Sequence, residues 1–201
     1  MIPLFHDFRD EQVVIFGGGQ VAARKAALFA TEADVLVLSR EFADRFREID
    51  CRTRQLEVTP ANASKFLSEA FLVIPATDDP TLNEEIAAQA REAGALVNRV
   101  DATGRTVTPS VIDGENVTVG ISTEGESPAV SKYLRKRLES EIEALDAMVP
   151  LQSELRDDTA DQAADARREF LWNVLEDERI RDALAEGEWE RARRLAATHR
   201  P

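Results

Sequence analysis

Short apolar runs alternate with longer amphipathic stretches in the N-terminal half of the chain. Apolar runs that are bounded by turn signals are typical of buried strands, and apolar residues at helical spacing are typical of helices. The predicted strands are 13–16, 35–38, 71–74 and 95–100, and the predicted helices are 21–30 and 82–93. Because strands and helices alternate to about residue 110, the pattern predicts βαβ units and a parallel sheet.

The pattern changes after residue 110. Residues 116–122 alternate in part, and Ser127-Pro128 predicts the start of a long helix, with serine as the N-cap. Pro150 predicts a break or a new helix start. Beyond residue 144 only helices are predicted, at 150–155, 160–175, 178–184 and 188–197. The predicted fold class is therefore α/β, with a Rossmann-type domain at 1–112, a strand–helix segment at 113–145 and an all-helical tail at 146–201.

Charge narrows the classes of partner. The 201 residues carry 38 acidic and 25 basic side chains, a net charge of −13, and few of the basic residues are lysine. This balance is typical of a protein from a salt-rich cytoplasm, where ions screen self-repulsion; an ordinary solvated acidic surface is the alternative. It argues against nucleic acid as a general partner, because phosphate binding needs a basic face.

Targeting and metal signals are weak. No apolar run approaches the ~20 residues of a membrane span, and the N-terminus has no secretory pattern, so we expect a cytoplasmic protein without a membrane partner. Cys51 is the single cysteine, and His6 and His199 form no metal-ligand spacing with it or with each other. No metal site is predicted.

The first chemical feature is a glycine turn. Residues Gly17, Gly18, Gly19, Gln20, Val21 and Ala22 fit the pattern G-x-G-x-x-A between a predicted strand and a predicted helix. Such glycines permit a tight turn and let a pyrophosphate approach the backbone at the helix N-terminus. The motif predicts a dinucleotide site; a plain glycine-rich turn is the alternative.

Other cofactor contacts follow from the order of the strands. The residue that contacts the adenosine ribose is expected about 20 positions beyond the turn, at Ser39-Arg40-Glu41. Ser39 and Arg40 suit a 2′-phosphate whereas Glu41 suits a free hydroxyl, so the residues leave NAD and NADP open. Thr77 and Asp78 follow a predicted strand and are expected on the nicotinamide side; capping of the next helix is the alternative.

Four blocks carry a family resemblance. They are GGGQVAARK, LVIPATDDPTLNEEI, LVNRVD and VTVGISTEGESPAVSKYLRKRLE. Over about residues 1–145 the chain resembles the N-terminal dehydrogenase module of siroheme synthase, whose stand-alone form is precorrin-2 dehydrogenase. The resemblance implies NAD-dependent oxidation of precorrin-2 to sirohydrochlorin, a tetrapyrrole, in siroheme biosynthesis. It also implies a homodimer that exchanges the segment after the Rossmann fold and, in some members, ferrous iron insertion at the same site.

Two other functions stay open at this point. One is a dinucleotide-binding regulatory protein without turnover, and the other is a different NAD(P) oxidoreductase acting on small acids. The chain beyond residue 145 has no methyltransferase signature, so the trifunctional siroheme synthase is not expected.

Asp101 is the candidate catalytic residue. It follows the predicted strand 95–100 and matches the aspartate of the family's N-x-x-D block. A carboxylate at this sheet edge can take the proton that leaves with the hydride, especially where burial raises its pKa. A capping aspartate is the alternative. Asn98 of the same block is expected to contact the cofactor.

Basic residues are expected to bind the carboxylates of the tetrapyrrole, since an acidic protein must place local positive charge at such a site. The cations available are Arg99, Arg105, Lys132, Arg135, Lys136 and Arg137. The predicted substrate-binding residues are Arg99, Lys132, Arg135, Ser122, Thr123 and Ser127. The alternative for the helix is i,i+4 pairing on a solvated face, as in Arg135–Glu139.

Two details of the resemblance remain unassigned. Glu124 stands where the family has a glycine, which puts an anion near the expected anion site. Arg24 and Lys25 match the family's R-K pair, and the motif leaves open whether they act at the phosphates or brace the helix.

Overall fold

The computed structural model describes residues 2–101 and 106–200. The strands are β1 (Gln12–Phe16), β2 (Asp34–Ser39), β3 (Arg52–Gln55), β4 (Ala70–Pro75), β5 (Leu96–Val97), β6 (Ser110–Asp113) and β7 (Thr118–Ile121). The α-helices are α1 (Gln20–Phe29), α2 (Pro60–Ala63), α3 (Pro80–Glu92), α4 (Pro128–Asp146), α5 (Met148–Asp158), α6 (Ala164–Glu176), α7 (Glu178–Ala185) and α8 (Trp189–Ala197). The chain divides into two compact units, one up to Thr108 and one from Pro109 onward.

The sheet of the first unit is parallel, in the order β3-β2-β1-β4-β5. β1 lies at its centre and its apolar residues are fully buried. Val14 and Phe16 pack on the face that α3 covers, whereas Val13 and Ile15 pack on the face that α1 covers. Each such side chain contributes about 1.5–3 kcal/mol by leaving water. The predicted α/β class with a Rossmann-type parallel sheet is confirmed.

The last strand of this sheet is shorter than predicted. β5 covers only Leu96–Val97, so the prediction of a strand over 95–100 is wrong at Ala95 and beyond Val97. The amide of Asn98 still donates to the Val73 carbonyl at 3.0 Å. The neighbouring strand β4 ends at Pro75, which has no N–H to extend the ladder. Asp101 therefore follows an irregular stretch rather than a strand.

β3 has no counterpart among the predicted elements. Its four residues, RTRQ, are all exposed and carry no apolar pattern. It is an edge strand that pairs in parallel with β2, and Arg52 binds Asp34 at the start of that strand. Charged side chains on an edge also discourage pairing with another chain.

The second unit joins a hairpin to a set of helices. β6 and β7 pair antiparallel, so the predicted boundary at residue 112 falls inside β6; the three-part division itself stays a prediction. α5 to α8 pack around Leu151, Phe170 and Ile180. The predicted helices-only tail is confirmed over the described residues. Pro150, however, lies in the first turn of α5, where its missing N–H is tolerated, and the break between helices falls at Ala147.

Asp146 fastens the end of α4 to the hairpin turn. Its carboxylate accepts hydrogen bonds from the backbone N–H groups of Glu115, Asn116 and Val117, at 3.2, 2.9 and 2.8 Å. A Cβ added to Gly114 would lie 2.4 Å from Oδ1 of Asp146. The bond from Asn116 is the main cause of the lowered pKa of Asp146.

Among the helices of the described residues, none combines the length and the apolar character needed to cross a bilayer.

Candidate active site

The glycine turn lies at the carboxyl end of β1, between β2 and β4. Gly17 has φ +124°, a conformation that is strained for any other residue, and a Cβ there would lie 2.3 Å from the Ala76 carbonyl oxygen. A Cβ on Gly18 would lie 1.9 Å from the Glu41 carbonyl oxygen. The two glycines are therefore required because the loops after β2 and β4 pack directly on the turn.

Gly19 is different, because it faces open space. It is exposed, and no atom of the described residues lies within 4 Å of a Cβ added there. It is also the N-cap of α1, and none of the described side chains caps this helix. The first N–H groups of α1 are thus available to an anion, and the positive end of the helix dipole favours one. This cradle fits the diphosphate of a dinucleotide such as NAD.

The loop after β2 is held against the turn. The Ala43 amide donates to the Gly18 carbonyl at 2.8 Å, and Gln55 Nε2 donates to the Arg40 carbonyl at 2.8 Å. Ser39 is half-buried beside Gly18, whereas the side chains of Arg40 and Glu41 are exposed. The structure thus brings all three predicted ribose-side residues next to the glycine turn, and their contacts with the cofactor stay predictions.

A hydrogen-bonded cluster, the Asn83 network, lies beyond the ends of β4 and β5. It consists of Thr77, Asn83, Glu84, Arg99 and Asp101. Asn83 is 1% exposed, and its Oδ1 accepts from the backbone amide and the hydroxyl of Thr77, at 3.0 and 2.7 Å. Its Nδ2 donates to the Thr77 carbonyl at 3.1 Å and to Asp101 Oδ2 at 3.3 Å. One amide therefore joins the turn after β4 to the candidate catalytic residue.

Arg99 holds Asp101 from another direction. Its Nε and a terminal nitrogen donate to the two carboxylate oxygens, at 2.9 and 3.0 Å, and it also binds Glu84. The side chains of Arg99 and Asp101 are 12% and 23% exposed. The hydrogen bonds from Arg99 lower the pKa of Asp101 and outweigh the opposing effect of burial. The condition that burial raises the pKa of this carboxyl is therefore not met, and the spacing of the residues alone did not reveal that Arg99 faces it.

Three other predicted residues of this unit have structural contacts of their own. Asn98 is 5% exposed; its Nδ2 donates to the Thr106 carbonyl at 2.8 Å and its Oδ1 accepts from the Thr108 hydroxyl at 3.2 Å. Asp78 is exposed, and the helix cap is Asp79, which accepts from the Thr81 amide at 2.8 Å. The guanidinium of Arg99 is already paired with two carboxylates. The proposed ligand contacts of Asn98, Asp78 and Arg99 stay predictions.

Sequence reasoning missed Asn83 as a site residue. It is the asparagine of the block T-D-D-x-x-x-N, so the signal was present in the motif. Its partner Asp101 lies 18 residues further along the chain, and only the fold brings the two together.

The two residues of the basic pair behind the turn, Arg24 and Lys25, differ in exposure. Arg24 is exposed, whereas Lys25 is half-buried. Burial, assisted by the charge of Arg24, lowers the pKa of Lys25 from its usual 10.5 to about 8.

The hydroxyls of Ser122, Thr123 and Ser127, which precede α4, bond to nearby backbone groups. Ser127 Oγ accepts from the Val130 amide at 3.4 Å, which confirms the predicted N-cap. Thr123 Oγ1 donates to the Ser127 carbonyl at 3.1 Å, and Ser122 Oγ accepts from the Glu124 amide at 3.1 Å. Glu124 has φ +54°, in the region that glycine favours, which accounts for the glycine expected there.

Among the cations of α4, one is paired with a glutamate of the same helix and three are exposed. Arg135 donates to Glu139 at 2.6 Å, which is the i,i+4 pair of the alternative interpretation. Lys132, Lys136 and Arg137 are exposed. The predicted role of Lys132, Arg135 and the three hydroxyls in substrate binding stays a prediction. Arg105 lies outside the described residues.

Both histidines have contacts that hold chain segments in place. The His6 ring stacks on Phe71 with 4.2 Å between centroids. His199 Nε2 lies 2.8 Å from a carboxylate oxygen of Asp177.

Comparisons with known proteins agree with this geometry. A family described as "Putative NAD(P)-binding" matches residues 4–110. Precorrin-2 dehydrogenase of Methanosarcina barkeri is 43% identical over 206 residues, covering 98% of this chain and 92% of that protein. Siroheme synthase 1 of Serratia proteamaculans is 33% identical over 146 residues, covering 71% of this chain and 31% of that longer protein.

A solved structure supports the fold. SirC, precorrin-2 dehydrogenase, superimposes with a TM-score of 0.73 at 21% identity, covering 99% of this chain and 98% of that one. Because the glycine cradle, the sheet order and the near full-length similarity agree, this chain belongs to the precorrin-2 dehydrogenase family.

Proposed function

We propose that this protein catalyses the NAD-dependent oxidation of precorrin-2 to sirohydrochlorin, a step of siroheme biosynthesis. The observation that carries the proposal is the placement of two features along one sheet edge. The open cradle at Gly19 follows β1, and the Asn83 network with Asp101 follows β4 and β5. β1 and β4 are neighbours, and ligands of such sheets bind at this edge.

The reaction removes a hydride and a proton from the substrate. When bound, NAD accepts the hydride. Asp101 has a lowered pKa and is therefore ionised at neutral pH, so it can accept the proton without first losing one. The paired bonds from Arg99 fix the orientation of the carboxylate and also make it a weaker base than an isolated aspartate.

Glu41 supports NAD rather than NADP as the cofactor. Its backbone carbonyl packs on Gly18 and its side chain is exposed, which places this residue at the end of β2, where the adenosine ribose is expected. A carboxylate there accepts a hydrogen bond from a ribose hydroxyl and repels a 2′-phosphate.

The test is turnover of precorrin-2 with NAD, followed by the absorbance of NADH and of sirohydrochlorin. We expect Asp101→Asn to reduce kcat at least about 100-fold, as loss of a general base does. Asp165→Asn, the same change at an exposed surface position, is the control and keeps wild-type turnover. NAD binding without NADH formation would favour a regulatory protein instead, and turnover of small acids without any tetrapyrrole would favour another oxidoreductase. Incubation of the protein with sirohydrochlorin and ferrous ion tests separately for chelatase activity.

We also propose a homodimer. Val130, Tyr133 and Leu134 of α4 are 47%, 65% and 38% exposed, and Ser131 is the single residue of this helix that is buried. Adjacent exposed apolar residues are typical of an interface. Sedimentation of the wild type is expected to give twice the chain mass, and Tyr133→Glu to shift it toward the single chain. A monomeric wild type would contradict the proposal.

Finally, we propose that the protein works in a salt-rich cytoplasm. The net charge of −13 makes self-repulsion a cost that salt screens. Thermal unfolding is expected to shift upward between about 0.1 M and 1 M potassium chloride, over which the Debye length falls from about 10 to 3 Å. A constant unfolding temperature over this range would oppose it.

A further inference from the structure

The Asn83 amide joins two parts of the site that come from different places in the sequence. We propose that Asn83 is a positioning residue of the dehydrogenase, whose buried amide fixes the Asp101 carboxylate relative to the turn at Thr77. The inference rests on the proposed function, and it adds the residue that sets where the proton acceptor lies.

The hydrogen-bonding capacity of Asn83 is fully used. An amide has two donor hydrogens and an oxygen with two lone pairs. The oxygen takes the amide and hydroxyl of Thr77, and the nitrogen serves the Thr77 carbonyl and Asp101. A flipped amide would set donors against donors and oxygen against oxygen. At 1% exposure no solvent can replace a lost bond, so one orientation is strongly preferred.

The hydrogen bonds of Asn83 are not required to cap α3. Asp79 already caps α3, because its carboxylate accepts from the amides of Thr81 and Leu82 at 2.8 and 3.2 Å. Asn98, the other buried asparagine of this sheet edge, bonds Thr106 and Thr108. Among the residues that the structure describes, Asp101 is the partner that Asn83 reaches outside the β4–α3 connection.

α3 also holds Asp101 indirectly. Glu84, the next residue after Asn83, binds Arg99, and Arg99 binds both oxygens of Asp101. Arg91 lies 3.5 Å from Glu84 on the outer side. Within the described ranges, Arg99 is the cation in contact with Asp101, with Glu84 and Arg91 beyond it and Asp79 at the start of the helix. Position 83 therefore suits a neutral donor, and an anion there would compete for Arg99 and repel Asp101.

The sharpest variant is Asn83→Asp, which keeps the shape and replaces the donor nitrogen by an oxygen. We expect kcat to fall at least about 10-fold, with the Kd of NAD changed less than about 3-fold, because the cradle at Gly19 is untouched. The acid limb of the pH profile of kcat is expected to move to higher pH by about one unit. Asp101 loses a hydrogen-bond donor in this variant and has a second carboxylate beside it. A role limited to folding would leave that limb in place.

Glu92→Gln is the matched control. Glu92 is exposed at the far end of the same helix and is not part of the Asn83 network, so this variant is expected to keep wild-type kcat and pH dependence. The double variant Asn83→Asp/Asp101→Asn tests the route of the effect. Asp101→Asn alone causes a certain loss of kcat. If Asn83 acts through Asp101, adding Asn83→Asp to that variant lowers kcat by less than about 3-fold more, because the effects of coupled residues are not additive.

Two measurements separate the possible failures. If the wild type forms no NADH from precorrin-2, the proposed function fails, while the carboxyl ¹³C titration of Asp101 still tests the contact with Asn83. An active wild type with unchanged kcat and unchanged acid limb in Asn83→Asp would overturn the inference. Asn83→Ser, measured in parallel, has no reach to Asp101 and adds no charge. It is expected to reduce kcat with a smaller shift of the limb, and full activity there would also overturn the inference.

Discussion

The candidate site has two halves along the sheet edge, the glycine turn after β1 and the Asn83 network after β4 and β5, and they are built from different groups. At β1 the site consists of backbone, because Gly17 and Gly18 admit no Cβ and Gly19 offers bare amides. At β4 and β5 it consists of side chains, with Asn83 and Arg99 holding Asp101. The first half offers backbone N–H groups, which do not titrate, whereas the second depends on the charged pair of Arg99 and Asp101.

This difference teaches what each half tolerates. Backbone amides cannot be removed by substitution, so the glycine turn is damaged only by adding atoms. Side chains can be removed or recharged one at a time, so the Asn83 network is damaged by loss of a donor or a charge. Substitutions of Gly18 and Gly19 add atoms to the glycine turn, and substitutions of Arg99 and Lys25 remove a positive charge.

Gly18→Ala is expected to have the largest effect. The new Cβ would lie 1.9 Å from the Glu41 carbonyl oxygen, so the loop after β2 must move away from the turn. We expect a loss of about 2–4 kcal/mol in the free energy of unfolding, together with loss of NAD binding. Denaturant unfolding and calorimetric titration with NAD measure both. A stable variant that binds NAD normally would show that the loop is not tightly packed.

Gly19→Ala separates binding from folding. Gly19 has φ −80°, which alanine adopts easily, and its Cβ would point into open space. The unfolding temperature is expected to stay within about 2 °C of the wild type, while the Kd of NAD rises about 10-fold or more, since a methyl group blocks the phosphate approach. Unchanged NAD affinity would remove the cradle from the site.

Arg99→Gln tests the charged half through its pH dependence. The pKa of Asp101 is lowered in the folded protein, so the pair contributes stability above the aspartate's unfolded pKa, and this is lost as the pH falls through the folded value. Without Arg99 the folded pKa rises, so the acid limb of kcat/KM is expected to move to higher pH by about one unit. Arg168→Gln, on the exposed Asp165 pair, is the control. Superimposable profiles of Arg99→Gln and wild type would argue against Asp101 as the titrating base.

Lys25→Met is expected to have the smallest effect, and in the opposite direction. Between pH values of about 8 and 10.5 the unfolded chain binds more protons at Lys25 than the folded protein, so stability rises with pH across this window. At neutral pH the buried charge is a cost, and its removal should add about 1 kcal/mol after allowance for solvent screening. Lys65→Met, at an exposed position, should add none. Equal unfolding temperatures for Lys25→Met and wild type at pH 7 would contradict the prediction.

Local signals explain which parts were predictable. The glycine turn and the Ser127 cap depend on residues within a few positions, so the sequence alone reveals them. The lowered pKa of Asp101 depends on the direction of the Arg99 side chain and on Asn83, which lies 18 residues away in the sequence and is brought to Asp101 by the fold. β3 forms because β2 offers an unpaired edge, and its own residues carry no apolar pattern.

The Asp146 clamp has a consequence for amide hydrogen exchange. Glu115 and Asn116 lie in an exposed turn, where amides ordinarily exchange within moments, yet with Val117 they donate to one carboxylate at the end of a helix. Exchange at these three positions then requires release of α4 from the hairpin, so their protection reports the opening of that segment. Since the lowered pKa keeps Asp146 ionised, the protection should persist into acid and disappear only when the carboxylate takes up a proton.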